Sequence, residues 1–216
     1  MAEELTIVYS SAHKIPENFR ENVFKELQKN KYPIHEIHVR PDQSSIVNYY
    51  GDLLNACNYI NTPYIAIAED DTLYPDEHFE YRPPKDTFGY NYTRWNLYTW
   101  SNPPFFSLRQ RKILATMICE RQLFVDFLEE RFARDLLGEK LEWWGEPGRN
   151  KHEQGLGVTP RKSEIFNTYN PLVVFTHPNA FGYMNGDKKA SKIRALSLPY
   201  WGTAEGVMND FYKSDK

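Results

Sequence analysis

The chain has 216 residues, a length that suits one α/β domain with a single continuous core. Hydrophobic residues make up 41% of it and charged residues 25%, as in an ordinary globular protein, and no apolar stretch reaches the roughly 18 residues of a membrane span. The formal charge of −3 and the pI near 6.1 weigh against indiscriminate binding to DNA. The first residues carry no secretory signal, and neither Cys57 nor Cys119 lies in a CxxC pair. We therefore expect a cytoplasmic protein without a zinc or disulfide framework, in a bacterium or a phage-infected host.

In the first half of the chain, apolar runs of strand length alternate with segments of helical periodicity. Pro16, Arg40–Asp42 and Asn61–Pro63 lie at the boundaries between these segments. The predicted elements are strand Leu5–Ser10, a helix from Glu17, strand Ile34–Val39, helix Ile46–Ile60 and strand Tyr64–Ala68. This order predicts a parallel sheet with right-handed crossovers, whose ligands bind at the carboxyl ends of the strands.

The second half is less regular and is also more basic. Residues 1–80 carry 6 Lys and Arg against 14 Asp and Glu, whereas residues 81–200 carry 18 against 12. The predicted elements are one or two strands in Phe88–Thr99, a strand around Ala115–Cys119, helix Leu123–Leu137, a loop over Trp143–Pro160 and strand Asn170–Thr176. The charge difference fits an acidic half that binds a metal and a basic half that meets an anionic acceptor, although chance surface variation would also produce it.

Three consecutive carboxylates, Glu69, Asp70 and Asp71, follow the third apolar strand. Neighbouring carboxylates repel one another unless a cation or hydrogen-bond donors offset their charge. Their hard oxygen atoms suit Mg²⁺ or Mn²⁺. The bland alternative is a solvated acidic turn in which Asp71 caps the next helix. No GxGxxG or P-loop pattern follows the first strand, which argues against a dinucleotide enzyme and a P-loop NTPase.

The segment Tyr64–Phe79, YIAIAEDDTLYPDEHF, resembles the DxD region of GT-A glycosyltransferases. Its EDD variant is especially similar to N-acetylglucosaminyltransferase I-like and related nucleotide-sugar transferases. The resemblance implies a GT-A fold, which is Rossmann-like with a mostly parallel central sheet flanked by helices. It also implies a single domain over residues 1–216. Residues 1–80 would bind the metal and the nucleotide sugar, and residues 81–216 would bind the acceptor.

The resemblance also assigns roles to the acidic residues. Asp71, the last carboxylate, would coordinate the Mn²⁺ or Mg²⁺ cofactor, and Glu69 and Asp70 would contact the ribose or the donor sugar. Many such enzymes supply a further metal ligand from a late strand or loop. His177 follows the last apolar strand and is the candidate for that ligand.

The nucleotide of the donor, expected to be a UDP-sugar, would lie against the ends of the first two strands. Ser10 and Ser11 match the place where this fold receives the nucleoside. Arg40 and Asp42 match the place where the base or the ribose is read.

An inverting transferase also needs a carboxylate that deprotonates the acceptor hydroxyl. The loop after Trp143 offers Glu153, beside His152, and Glu146, beside two tryptophans. Sequence reasoning slightly prefers Glu153, and a retaining enzyme would need neither.

The sequence does not distinguish between two kinds of acceptor, and it leaves two alternatives to a glycosyltransferase. A hydroxymethylated base in phage DNA and a glycan precursor both fit a basic second half with interleaved aromatics. One alternative is a nucleotidyltransferase, although the Gly-rich basic signature expected after the first strand is missing. The other is a catalytically silent GT-A-like module that binds a glycan or a nucleic acid.

Overall fold

The structure is a computed structural model that describes residues 4–11, 15–38, 46–136, 146–155, 157–176 and 190–212. Its strands are numbered in chain order: β1 (Leu5–Ser11), β2 (Ile34–His38), β3 (Tyr64–Glu69), β4 (Thr72–Leu73), β5 (Thr87–Asn91), β6 (Arg94–Tyr98), β7 (Phe105–Leu108), β8 (Met117–Glu120), β9 (Lys162–Phe166), β10 (Leu172–Thr176), β11 (Arg194–Ala195), β12 (Ser197–Leu198) and β13 (Gly202–Thr203). The helices are α1 (Glu17–Leu27), α2 (Ile46–Tyr59), α3 (Arg121–Leu136), α4 (Asn150–Gly155) and α5 (Ala204–Val207). Two 3₁₀ helices span Asp76–Glu80 and Leu114–Thr116, and a π-helical turn spans Met208–Tyr212.

A six-stranded central sheet has the order β2-β1-β3-β8-β5-β9. β1 pairs in parallel with β2 and with β3, and β5 pairs in parallel with β9. β8 runs antiparallel to both of its neighbours, β3 and β5. The mixed sheet is therefore mostly parallel, as predicted.

Helices cover both faces of the central sheet. On one face, Leu53 of α2 and Phe124 of α3 pack with Val8 and Ile67 of the sheet. On the other face, Leu27 of α1 packs with Ile7 in a second cluster. This arrangement confirms the predicted α/β architecture with a sheet between helices. No helix within the described ranges is both long and apolar enough to cross a membrane.

A second sheet, of order β11-β7-β6-β10-β4, meets the first just after the acidic motif. The chain leaves the central sheet at Glu69 and joins the second sheet at Thr72, where β4 pairs antiparallel with β10. The backbone N–H of Phe175 donates to the carbonyl of Asp71 at 2.8 Å. The acidic motif therefore lies at the junction of the two sheets.

The Phe88–Thr99 segment forms two strands, β5 and β6, in agreement with the prediction of one or two, and these belong to different sheets. The second half of the chain also contains elements that were not predicted. Helix α4 lies inside the predicted loop over Trp143–Pro160. Strand β9 was not predicted, because its sequence KSEIF is mostly polar and Ile165 points to solvent, as an edge strand allows.

Candidate active site

The candidate site forms where β1 and β3 end side by side. Their parallel register places Ser10 opposite Glu69. The hydroxyl of Ser11 donates to Oδ2 of Asp70 at 2.7 Å. The structure thus brings together four of the residues that sequence reasoning assigned to the nucleotide sugar.

Ser10 and Ser11 point to opposite faces of the sheet, because side chains alternate along β1. Ser10 lies opposite Glu69 in the register, whereas Ser11 contacts Asp70 in the turn that follows β3. On the α2 side, the hydroxyl of Ser10 lies 3.2 Å from that of Tyr49 and also donates to the carbonyl of Ala68 at 3.3 Å. On the α1 side, Asp70 accepts from Ser11. The two carboxylates therefore have different surroundings although they are adjacent in the chain.

Asp71 is held by the second sheet rather than by the first. Its carbonyl accepts from Phe175, and its Oδ1 accepts from the hydroxyl of Thr72 at 3.0 Å. The partner strand β10 ends at Thr176, one residue before His177. The carbonyl of Asp71 is thus tied to the strand that leads toward the other predicted metal ligand.

Negative charge accumulates at Glu69. Burial raises the pKa of this carboxyl to about 8, and the neighbouring carboxylates of Asp71, Asp70 and Glu146 add to the effect. A divalent cation would offset this repulsion, and carboxylate oxygens are the ligands that Mg²⁺ and Mn²⁺ prefer. The chemistry of these oxygen atoms would suit the predicted cofactor, which stays a prediction. Within the described ranges, no group of three or more His, Cys, Asp or Glu side chains is already gathered as a metal site.

Arg94, at the start of β6, was missed by sequence reasoning. Its side chain is only 4% exposed, and its Nε donates to the carbonyl of Arg109 at 3.0 Å. Burial, with Arg109 and Arg111 nearby, lowers the pKa of Arg94 to about 10, while Glu69 and Glu146 oppose this shift. A buried guanidinium next to the acidic motif is suited to binding a phosphate group. The signal in the sequence was an arginine directly before the apolar and aromatic residues of a predicted strand segment.

The two predicted base candidates differ sharply in environment. Glu153 is fully buried in α4, where its Oε1 accepts from the backbone N–H of Gly148 at 2.8 Å and its Oε2 from that of Arg161 at 3.2 Å. Glu146 is partly exposed and forms an ion pair of 2.9 Å with Arg149. The charge of Glu146 contributes to the raised pKa of Glu69, so the two carboxylates lie within electrostatic range of each other. Glu153 instead holds the backbone of its own segment through Gly148 and Arg161.

Three predicted site residues lie outside the described part of the structure. They are Arg40, Asp42 and His177. Their assignments to the nucleotide and to the metal stay predictions.

No protein-family model matches the chain, and no curated protein matches it. Among solved structures, the chain is similar to a glycosyltransferase involved in the glycosylation of the major capsid of PBCV-1. That likeness has a TM-score of 0.50 and 8% identity over 79% of this chain and 92% of the other. The two chains share a fold. At this identity the likeness concerns the fold alone, and it agrees with the GT-A fold that the acidic motif predicted.

Two further structures are more distant. HddC from Yersinia pseudotuberculosis has a TM-score of 0.38 and 12% identity, over 79% of this chain and 72% of its own. The inositol-1-phosphate CTP transferase from T. maritima has a TM-score of 0.41 and 9% identity, over 86% and 93%. These weaker likenesses carry no argument about this chain.

Proposed function

We propose that the protein is a divalent-metal-dependent glycosyltransferase that moves a sugar from a UDP-sugar to an acceptor hydroxyl. The observation that carries this proposal is the acidic motif at the shared carboxyl ends of β1 and β3, where burial, with the neighbouring carboxylates adding to it, raises the pKa of Glu69 to about 8. Ligands of parallel sheets bind at this edge. The fold shared with a viral glycosyltransferase supports the same reading.

In this proposal the metal is held by Asp71, with His177 as a further ligand. When bound, Mn²⁺ or Mg²⁺ would supply positive charge that stabilises the diphosphate leaving group. Arg94 would add a second positive charge toward the diphosphate from the neighbouring sheet. Asp70 would bind the nucleotide sugar from the α1 face, and Glu69 from the α2 face.

The nucleoside would lie against Ser10 and Ser11, whose hydroxyls sit at the end of β1. Glu146 would take the proton of the acceptor hydroxyl, because it is partly exposed and interacts with Glu69. Glu153 has both oxygens engaged by backbone N–H groups, which favours Glu146 between the two candidates.

Thermal unfolding in the presence of UDP, GDP and CDP, each with and without Mn²⁺, tests the donor half of the proposal. We expect UDP with Mn²⁺ to raise the melting temperature by several degrees, because ligand at a hundred times its Kd stabilises the folded state by about 2.7 kcal/mol. The variant Asp71→Asn should melt like the wild type without ligand and lose the metal-dependent increase. If no nucleotide shifts the melting temperature when Mn²⁺ is present, the transferase proposal is wrong.

The products of turnover separate the proposal from a nucleotidyltransferase. Glycosyl transfer from a UDP-sugar, or slow hydrolysis of that donor, releases UDP. Nucleotidyl transfer to a sugar phosphate releases pyrophosphate instead. Release of pyrophosphate from UTP, without release of UDP from any UDP-sugar, would mean that the protein is a nucleotidyltransferase and not a glycosyltransferase.

A further inference from the structure

The edge of the second sheet at β11 brings three segments of the chain together. They are residues 192–196, which contain β11, the loop of residues 100–103 before β7, and residues 109–111 after β7, and we call them the β11 edge. β11 pairs antiparallel with β7, and the backbone N–H of Leu108 donates to the carbonyl of Ile193 at 3.1 Å. An open concavity of about 380 Å³ lies between the first segment and the loop. The three segments therefore form one continuous surface.

Large apolar side chains are exposed on this surface. Ile193 is 57% exposed, Leu196 is 63% exposed and Trp100 is 42% exposed. Among the described residues, seven large hydrophobic side chains are exposed, and three of the seven lie on the β11 edge. Single exposed apolar residues are ordinary on a protein surface, whereas a group of them indicates a surface that another molecule covers.

Positive charge surrounds these apolar side chains. Residues 99–119 and 190–204 contain no Asp or Glu, and together they carry five Lys or Arg. Of these five cations, Arg111, Lys192 and Arg194 are exposed. Arg194 also lines the concavity. A partner of the β11 edge would therefore carry negative charge.

Protection of the sheet edge explains only part of this surface. Proteins place charged side chains on edge strands so that a second chain does not pair there, and Lys192 and Arg194 would serve that purpose. Exposed Ile193 and Leu196 have the opposite effect, because apolar side chains at an edge favour association. Cations next to exposed aliphatic and indole side chains are instead typical of surfaces that lie on an anionic membrane.

We propose that the β11 edge binds the surface of a lipid bilayer that contains anionic head groups. The exposed cations would lie among the head groups, and Ile193 and Leu196 would enter the boundary between the head groups and the acyl chains. Trp100 suits the same depth, because indole rings favour the interface between membrane and water.

A bilayer fits the β11 edge better than a nucleic acid does. Single-stranded nucleic acids are held by aromatic rings on which successive bases stack. The ring of Phe105 already stacks on that of Tyr98 with centroids 4.9 Å apart, and the guanidinium of Arg194 lies over the same ring. Base stacking would also leave Ile193 and Leu196 in water, whereas a bilayer removes them from it.

The position of the β11 edge would leave the candidate active site accessible. β11 and β4 are the two edge strands of the second sheet, four strand spacings or roughly 19 Å apart. β4 directly follows the acidic motif. A bilayer on the β11 edge would therefore lie on the far side of the sheet from that motif. The surface would bind a bilayer whether or not the acidic motif transfers a sugar.

Flotation of the protein with lipid vesicles tests the proposal. The vesicles contain either phosphatidylcholine alone or phosphatidylcholine mixed with phosphatidylserine, and binding to a short single-stranded DNA is measured in parallel by fluorescence anisotropy. We expect the anionic vesicles to bind at least about tenfold more tightly than the neutral ones, because several cations contact their head groups. Raising the salt concentration from about 0.05 M to about 0.5 M should weaken this binding, since salt screens exposed charges.

Matched substitutions on the two sheets localise the binding. Ile193→Ser should weaken binding to the anionic vesicles about fivefold, because an apolar contact is lost. Ile165→Ser should leave it unchanged, because Ile165 has a similar exposure of 52% but lies on β9, an edge strand of the central sheet. Arg194→Glu should weaken binding at least about tenfold, and Lys162→Glu, also on β9, is its control. All four side chains are exposed, so the variants should melt close to the wild type.

Failure to bind the anionic vesicles at low salt would overturn the proposal. Equal weakening by the β9 and β11 variants would do the same, because binding would then depend on overall charge and not on this surface. Binding to the DNA without binding to the vesicles would make the β11 edge a nucleic-acid surface instead. The response to UDP with Mn²⁺ tests the proposed function separately and should be unchanged in Ile193→Ser.

Discussion

Two adjacent carboxylates, Glu69 and Asp70, lie in different environments because Glu69 ends β3 and Asp70 lies in the turn that follows. Glu69 is on the side of the sheet where Ser10 contacts Tyr49, and Asp70 receives the hydroxyl of Ser11. Only the residue that follows, Asp71, is anchored to the second sheet. The motif therefore offers three differently placed oxygen donors rather than a single chelating cluster.

The roles of the two loop carboxylates can be separated by paired substitutions. Glu146→Gln should keep the fold and lower kcat by about 10²–10⁴, because a positioned base is removed. Glu153→Gln should instead lower the free energy of unfolding by about 1–3 kcal/mol, since its amide N–H₂ would face a backbone donor that the carboxylate now satisfies. Initial rates of UDP release and urea denaturation measure the two effects. Loss of turnover in Glu153→Gln at unchanged stability would make Glu153 the base.

The sequence allowed part of this site to be predicted. Ser10 and Asp70 could be placed together, because the carboxyl ends of consecutive parallel strands lie at one edge of a sheet. Arg94 could not, because its position near Glu69 depends on how the second sheet meets the first. The burial of Glu153 could not be predicted either, because helix α4 is too short to show an amphipathic pattern in the sequence. Packing between distant segments leaves no local periodicity to detect.

At the scale of elements, the first half was predictable because its signals are local. Apolar runs, helical spacing and prolines placed β1, α1, β2, α2 and β3 to within about two residues of their observed ends. Tyr92 and Thr93 separate β5 from β6, yet the two strands join different sheets. Strand pairing at such a point depends on partners far away in the chain, which hydrophobic alternation does not reveal.

The 3₁₀ helix Asp76–Glu80 makes the stability of the protein sensitive to acid. Its His78 is fully buried, accepts at Nδ1 from the amide of Asn91 at 3.2 Å and lies against Phe166. Burial lowers the pKa of His78 from 6.5 to about 3. Below pH 6.5 the imidazole is protonated in the unfolded state, whereas in the folded state it stays neutral down to about pH 3. The stability that neutral His78 contributes is therefore complete above pH 6.5 and is lost as the pH falls, by up to about 1.4 kcal/mol per unit.

We therefore expect the free energy of unfolding of the wild type to fall relative to that of His78→Gln when the pH is lowered from 7 to 4.5. The shift should be about 2.5 kcal/mol, and urea denaturation at several pH values measures it. A constant difference between wild type and His78→Gln would mean that His78 titrates equally in both states.

At the scale of the whole molecule, the two functional halves proposed from the sequence are not two folding units. The central sheet takes β1, β2 and β3 from residues 1–80 and β5, β8 and β9 from the remainder. The second sheet takes β4 from the first half and its other strands from the second. Each sheet is therefore incomplete without both halves. A nucleotide site at the junction depends on the integrity of both sheets.

This interleaving predicts one cooperative unfolding transition, and the chain supplies a probe for each half. All five tryptophans lie in residues 81–216, so their fluorescence reports the second half, whereas Cys57 is buried in α2 of the first. In a Cys119→Ala variant, we expect the urea midpoint of tryptophan fluorescence to coincide with that of Cys57 labelling by a thiol reagent, because the sheets lose both halves together. If Cys57 became reactive at a clearly lower urea concentration, residues 1–80 would unfold on their own and the prediction of a single domain would be wrong.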